Sequence, residues 1–259
     1  MPHPDFPLEP AVRDPKKLRN TALILVGIMI IGGWFILRAY GTWTMSTAKD
    51  DRPAMIYRIT KERDLRMVRQ DGKIVNLYDL RGRVVLIHAI STSNPEGCKN
   101  SLGVMQRAAK HFAANQEVAL VSLLVDPLPA DQAIPSLTGI AQQHGMQLPQ
   151  WQLGTNEEKT LHKFIKNELK TNVFPHLEND KWHFDSSIVL LDRNGHIRRA
   201  VVPQKQGGPP YIARFDFDQA AGWDAQHVLT GTERNNLQEL EKLMNDTIEI
   251  LLKETDTPS

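Results

Sequence analysis

A continuous apolar run at residues 84–90, followed closely by a helix start, constrains the fold of this chain more than any other feature. The run reads VVLIHAI and is rich in β-branched residues, which is typical of a central strand buried on both faces. Asn94 is a favoured N-cap residue and Pro95 suits the first helical position, so we expect a helix to begin here. Cys98, the only cysteine, then lies in the first helical turn. Ligands and reactive groups of open α/β sheets gather at this end of a strand.

The composition excludes several classes of function. Lys and Arg together number 31 and Asp and Glu 30, so the chain has no strongly basic balance and we expect no nucleic-acid partner. A single cysteine excludes an intrachain disulfide, a two-thiol redox cycle and a structural zinc site built on several thiolates. The cysteine count does not indicate the cellular compartment, because oxidising and reducing environments both tolerate a lone thiol.

Residues 21–37 form an uncharged apolar segment at the short end of the length that spans a bilayer. Basic residues are denser just before this segment than after it, which favours an N-terminus in the cytoplasm. We therefore predict a short cytoplasmic tail at residues 1–20 and a single-pass anchor in a bacterial inner membrane at residues 21–40. Two alternatives stay open, a signal peptide cleaved near residues 46–48 and a buried soluble helix.

The rest of the chain has the pattern of one α/β domain at residues 58–255, joined to the anchor by a linker at residues 41–57. We predict further strands at residues 73–80, 117–125, 151–153, 187–191 and 197–202, and helices at residues 95–114, 134–144 and 234–253. Thr155 and Glu158 have the spacing of a capping box, which predicts one more helix after them. Residues 204–234 show no period and indicate an insertion or a long surface loop. This order predicts a mixed sheet with helices on both faces.

Four short motifs follow one another in this domain. The first, at residues 72–83, reads GKIVNLYDLRGR, and the others are LVDP at residues 124–127, LGT at residues 153–155 and LLDRNG at residues 190–195. Their order and spacing, together with the anchor, resemble the Sco/SenC family, the membrane-anchored copper chaperones for cytochrome oxidase assembly. The resemblance covers about residues 72–199 and the closing helix, and it implies a thioredoxin-like fold.

The resemblance fails at the copper motif of that family. The family has Cys-Pro-x-x-Cys, whereas here Asn94 stands in place of the first cysteine and Cys98 retains the second. The place of the family's histidine ligand falls on Phe184, with His183 one residue earlier, which on a strand turns the side chain to the opposite face. Cys98 and His183 are therefore the candidate metal ligands. We expect no cofactor, with copper at these two residues as the open alternative.

The sequence thus predicts a non-catalytic binding or assembly factor linked to respiratory-complex biogenesis, with its domain in the periplasm. Its partners would be the membrane and either a respiratory oxidase subunit or another assembly factor. We expect Asn94 to cap a helix, Cys98 to act as a small buried hydrophobe, and His88 to be a satisfied core histidine. A copper chaperone or thiol-redox protein that uses Cys98 is the alternative, and a ligand-binding module built on residues 204–234 is a third hypothesis.

Overall fold

The computed structural model describes residues 14–47, 52–203 and 210–254 of the chain. Parts of three predicted regions lie outside the described residues, namely residues 1–13 of the tail, 48–51 of the linker and 204–209 of the insertion. The chain separates into two units. One contains the N-terminal helix, and the other, Asp51–Val202 with Tyr211–Ser259, is the α/β domain.

The N-terminal helix α1, Pro15–Thr47, contains a segment that is long and apolar enough to cross a membrane. The most apolar 18-residue window of this segment, Pro15–Ala39, has a mean hydropathy of 2.2. Its large apolar side chains, such as those of Ile30 and Leu37, are exposed, unlike those of a core helix. The helix begins before the predicted span at residues 21–40 and ends after it. Length and composition fit a single-pass anchor, and a signal sequence near an N-terminus has the same properties.

The α/β domain contains eleven strands and five helices within the residues that the structure describes. The strands are β1 (Ala54–Arg58), β2 (Arg66–Arg69), β3 (Ile74–Asn76), β4 (Val84–Ile90), β5 (Val118–Leu124), β6 (Trp151–Thr155), β7 (His176–Glu178), β8 (Lys181–His183), β9 (Val189–Leu191), β10 (His196–Val202) and β11 (Tyr211–Ala213). The helices are α2 (Lys99–His111), α3 (Ala133–His144), α4 (Glu158–Asn167), α5 (Phe217–Ala225) and α6 (Asn236–Lys253). A 3-10 turn, Pro95–Cys98, leads directly into α2.

One mixed sheet runs in the order β1-β10-β9-β4-β5-β6-β2-β3, with β11 added beside β10. Strand β4 pairs parallel with β5 and antiparallel with β9, and β9 pairs antiparallel with β10. Helix α2 makes the crossover from β4 to β5, and α6 closes the chain after the β9–β10 hairpin. The inner order β10-β9-β4-β5 with these helices is a thioredoxin-like fold, so the predicted fold class is confirmed.

Apolar clusters cover both faces of this sheet, and β4 contributes to each of them. Val84 and Leu86 pack in the cluster that includes side chains of α2, α3 and α6, whereas Val85 and Ile87 pack in the cluster that includes α4. All seven residues of β4 are buried, as the apolar run predicts. Burial of each large apolar side chain stabilises the fold by about 1.5–3 kcal/mol. The strand that ends at the candidate site is therefore among the most firmly held parts of the domain.

Two predicted element ends are wrong because polar side chains make other contacts. The strand predicted at residues 73–80 ends at Asn76, whose backbone N–H donates to Asp79 and starts a 3-10 turn, Leu77–Leu80. The capping box at Thr155 does not form, because Thr155 ends β6 and its hydroxyl donates to the Leu124 carbonyl oxygen at 3.1 Å. The cap of α4 is instead Glu157, whose carboxylate accepts two backbone N–H groups.

The region predicted as an insertion or long surface loop contributes to the core where the structure describes it. Strand β11 pairs with β10, and α5 follows after three residues, of which Phe215 forms a β-bridge with Ile188. Phe215 and Phe217 are among the largest fully buried side chains of the domain. Residues 211–225 are therefore not a surface loop. Their three-residue strand and nine-residue helix are too short to produce a clear period in the sequence.

Candidate functional site

The loop that follows β4 is fastened to the end of the neighbouring strand. The Asp126 carboxylate accepts the backbone N–H groups of Thr92 and Ser93, at 2.9 and 3.1 Å, and the Ser91 hydroxyl at 3.1 Å. Because β4 and β5 are parallel, Asp126 and this loop meet at the same edge of the sheet. The buried Asp126 carboxylate is the main polar anchor of the candidate site.

Asn94 connects the start of the helix to a separate hairpin. Its Oδ1 accepts the backbone N–H of Gly97 at 3.2 Å, so the predicted helix cap is confirmed. Its Nδ2 donates to the carbonyl oxygen of Trp182 in β8 at 2.8 Å. A Cβ at position 97 would lie 2.7 Å from the Asn94 Nδ2, so a larger residue there would displace the Asn94 side chain. Both ends of the Asn94 amide are thus occupied by structural hydrogen bonds.

Cys98 is buried behind this turn and is poorly suited to react. Its side chain belongs to the core cluster and is 2% exposed, and its thiol donates weakly to the Pro95 carbonyl oxygen at 3.5 Å. Burial above all, then the charges of Asp218 and Asp126, raise the pKa of the Cys98 thiol, against a lowering hydrogen bond from the Ser91 backbone. A thiol of raised pKa stays protonated at neutral pH, and only the thiolate is a good nucleophile or metal ligand. The predicted role of a small buried hydrophobe fits this environment.

His183 lies in strand β8, which forms a two-stranded hairpin with β7. It is paired with His176 across β7 and β8, and the two imidazole rings stack with their centroids 5.7 Å apart. The His183 side chain is 47% exposed and its Nε2 lies 3.6 Å from a Glu178 carboxylate oxygen. His176 is also exposed. Trp182 between them is buried, with its ring centroid 4.9 Å from that of His162.

The structure therefore unites Asn94 with the hairpin but shows no bond between the two candidate metal ligands. Among the described residues, Cys98 and His183 share no hydrogen bond or ion pair, and no group of three or more His, Cys, Asp or Glu side chains is arranged to hold a metal ion. Copper(I) prefers soft thiolate donors. One protonated buried thiol and one exposed imidazole paired with Glu178 do not fit that requirement.

Two polar features of the site gave little signal in the sequence. Asp218, at the start of α5, accepts the Asn100 amide at 2.9 Å and the Ser186 hydroxyl, so it joins α2 to the segment before β9. The short β7–β8 hairpin was not predicted either. Asn179 and Asp180 form its turn with positive φ values, and this Asn-Asp pair was the only local sign of a hairpin.

His88 is a satisfied core histidine, as predicted. It lies in β4 at 1% exposure, and its Nε2 is 2.7 Å from the Ser122 hydroxyl on the neighbouring strand. The same hydroxyl accepts the indole N–H of Trp151 at 2.9 Å. Burial above all, then the nearby His144, lowers the pKa of His88 to about 3, so its imidazole is neutral in the fold. The His88 imidazole is thus a packing group of the sheet, and its burial keeps it out of contact with any substrate.

The sheet order, the helix start capped by Asn94 and the buried Cys98 define a thioredoxin-like protein without an exposed thiol among the described residues. No protein-family model and no curated protein matches the sequence. The structure is similar to that of BsSco, a member of the Sco family of cytochrome c oxidase assembly proteins, at 19% identity, over 77% of this chain and 98% of that chain, with a TM-score of 0.49.

Two further solved structures of that family are similar to this chain. The soluble domain of Sco1 from Bacillus subtilis has 23% identity over 59% of this chain and 85% of its own, with a TM-score of 0.45. Copper-bound ScoI of Bradyrhizobium japonicum has 18% identity over 70% of this chain and 96% of its own, with a TM-score of 0.42. The fold assignment for this chain stands on its own strand order and not on these overlaps.

Proposed function

We propose that this protein is a membrane-anchored binding or assembly factor that acts by docking, in the biogenesis of cytochrome oxidase or a related respiratory complex. The observation that carries the proposal is the double use of Asn94. Where the Sco/SenC pattern has a reactive thiol, this chain has an amide whose two ends hold Gly97 and Trp182. The position is used for structure, which leaves binding as the role that the site supports best.

The link to respiratory complexes rests on the sequence motifs at residues 72–83, 124–127, 153–155 and 190–195. These motifs lie in strands and turns, so they support a scaffold shared with the Sco/SenC family. They do not indicate the chemistry of the site, which depends on the residues at the site itself. The anchor and the basic residues before it support a cytoplasmic N-terminus and a periplasmic domain. The partner in this proposal is a respiratory oxidase subunit or another assembly factor.

Thiol–disulfide chemistry receives little support from the chain. A reductase cycle needs an attacking thiolate and a resolving partner. Cys98 is the only cysteine, and its pKa is raised by burial and by nearby carboxylates. The competing hypothesis, a copper chaperone or a thiol-redox protein that uses Cys98, therefore requires the buried thiol to become accessible in the native protein.

Copper(I) binding separates the two hypotheses. We expect the full chain in non-ionic detergent to compete with a chromogenic Cu(I) chelator no better than the Cys98→Ala variant does. Titration with a thiol reagent provides the internal control, because the wild-type thiol should react only after unfolding. Tighter Cu(I) binding by the wild type than by Cys98→Ala, or rapid labelling of the native thiol, would contradict the docking proposal and favour the alternative.

A further inference from the structure

A second concave site lies beside the β9–β10 hairpin, and its lining is rich in basic residues. Its wall is formed by the segment before β9, the middle of β10 and the residues after α4 and β11. Four basic residues and no acidic residue are part of the lining: Lys170, Arg198, Arg199 and Arg214. Such an excess of one charge in a small concavity concentrates ions of the opposite charge.

Arg214 has an unused hydrogen-bond donor in this pocket. Its Nη2 donates to Asp185 at 2.5 Å and to the Ser187 hydroxyl at 3.0 Å, which fixes the guanidinium plane. Its Nη1 is buried and has no hydrogen-bond partner among the residues that the structure describes. Buried guanidinium nitrogens are normally paired, so an unpaired one in a fixed plane indicates a missing acceptor.

Arg199 supplies a second guanidinium that no protein group holds. It makes no hydrogen bond or ion pair with the described part of the chain, whereas its neighbour Arg198 is paired with Asp192 and Glu254. Successive residues of a strand face opposite sides, which explains why the two arginines differ. Burial, followed by the positive charge of Arg214, lowers the pKa of Arg199. Arg199 and Arg214 both line this one pocket.

The nearby acidic charge does not neutralise this site. Asp185 is already occupied, since it accepts the Asn172 and Ser187 backbone N–H groups as well as Arg214. Burial alone would raise the pKa of Asp185, but these hydrogen bonds and Arg214 lower it, so the carboxylate is charged. Two carboxylates, those of Asp185 and Asp216, act on Arg214, and three basic side chains of the pocket, those of Arg199, Arg214 and Lys170, stand against them. The Lys170 ammonium lies 3.9 Å from the centroid of the Tyr57 ring and remains at the surface.

We propose that this pocket binds a phosphate group, either free inorganic phosphate or the phosphate of a lipid headgroup. One phosphate oxygen would accept the unused Arg214 Nη1–H, and Arg199 would bind the others with its planar fork. A phosphate group presents more acceptor oxygens to the two guanidinium groups than a carboxylate does. The proposal goes beyond the docking role and does not depend on it.

Binding of inorganic phosphate to the full chain in a phosphate-free non-ionic detergent tests this inference. The dissociation constant is measured by calorimetry, with chloride at equal ionic strength to remove general screening and acetate as the carboxylate comparison. We expect wild type to bind phosphate, and Arg199→Gln to weaken that binding about 10-fold or more through loss of charge-assisted hydrogen bonds. Arg199→Gln should keep its unfolding midpoint without phosphate, because the side chain makes no described bond.

The matched control is Arg66→Gln, which removes an exposed arginine from β2 and should leave phosphate binding unchanged. Glycerophosphoglycerol, a soluble headgroup phosphodiester, distinguishes the two sources of the ligand. Binding of this diester indicates a lipid phosphate, and binding of inorganic phosphate alone indicates a free one. No phosphate binding above the chloride blank, equal affinity in Arg199→Gln, or acetate binding as tight as phosphate binding would overturn the proposal.

Discussion

At the scale of single residues, His88 makes the stability of this domain depend on pH. Its imidazole is fully enclosed and bonded to Ser122, and burial lowers its pKa to about 3. In the unfolded chain a histidine titrates near pH 6.5. Below about pH 6.5 the unfolded state therefore binds a proton that the folded state accepts only near pH 3. The stabilising contribution is complete above this window and is lost as the pH falls through it.

We expect the free energy of unfolding to fall by about 1.4 kcal/mol per pH unit from His88 alone as the pH drops from about 6 to about 4. Urea titrations of wild type and His88→Gln across this range measure the difference in slope. His111→Gln, at an exposed position, is the control and should retain the wild-type slope. If His88→Gln does not fold, an NMR titration of the wild-type imidazole provides the same answer. A midpoint near pH 6.5 for His88 would contradict the prediction.

Cys98 shows how the surroundings of one residue decide its chemistry. A thiol at the start of a helix is normally activated by the helix dipole. Here burial and three nearby carboxylates, on Asp218, Asp126 and Glu96, outweigh that effect and raise the pKa of the thiol. The single cysteine of the sequence is therefore a packing residue in the folded state.

At the scale of elements, the site is an assembly of short segments held together by polar side chains. Asp126 after β5 holds the loop after β4, and Asn94 holds the β7–β8 hairpin against the start of α2. Asp218 in α5 joins α2 to the segment before β9. These hydrogen bonds therefore join neighbouring elements at the edge of the sheet where a thioredoxin-like protein has its reactive group.

Replacing Asn94 by alanine should loosen this arrangement without unfolding the domain. The variant loses the bond to the Gly97 N–H and leaves the Trp182 carbonyl oxygen unpaired. We expect a loss of about 1–2 kcal/mol in the free energy of unfolding, measured by urea titration. Asn167→Ala, at an exposed position in α4, should change stability by less than about 0.5 kcal/mol. Equal effects of the two substitutions would show that the Asn94 bonds contribute nothing.

At the scale of the whole molecule, helix α1 and the α/β domain differ in how far their apolar side chains are buried. The segment Pro15–Ala39 exposes apolar side chains along its length, whereas the domain encloses its apolar clusters on both faces of the sheet. Exposure of this much apolar surface to water costs about 25 cal/mol per Å². A bilayer removes that cost, and this difference supports the proposed anchor.

Extraction of membranes tests the anchor directly. We expect the full chain to stay with the membrane after alkaline carbonate treatment, and a chain that begins at residue 52 to be released as soluble protein. Protease added to spheroplasts should digest the domain if it faces the periplasm. Release of the full chain by carbonate would contradict the anchor, and a shortened mature N-terminus would favour the cleaved signal peptide.

Much of the scaffold could be predicted because its signals are local and strong. The apolar runs at residues 84–90 and 117–125 correspond to β4 and β5, and the helix predicted at residues 234–253 corresponds to α6. Asn94 and Pro95 correctly marked the start of the helical turn before α2. The missed elements, β1, β2, β7, β8, β11 and α5, are short. Strand β1 falls mostly within the predicted linker at residues 41–57, yet it pairs with β10, which is far away in the sequence.

The sequence alone determined the central strands, the apolar N-terminal helix and the single thiol. It also determined the position, Asn94, at which the chain departs from the copper motif of the Sco/SenC family. These properties depend on composition and on neighbours within a few residues. Only the tertiary structure decided that Asn94 bonds to Trp182, that Asp126 anchors the loop, and that Arg199 and Arg214 share one pocket. Each of these depends on a contact between distant segments, whose distance and burial arise only when the sheet brings their elements together.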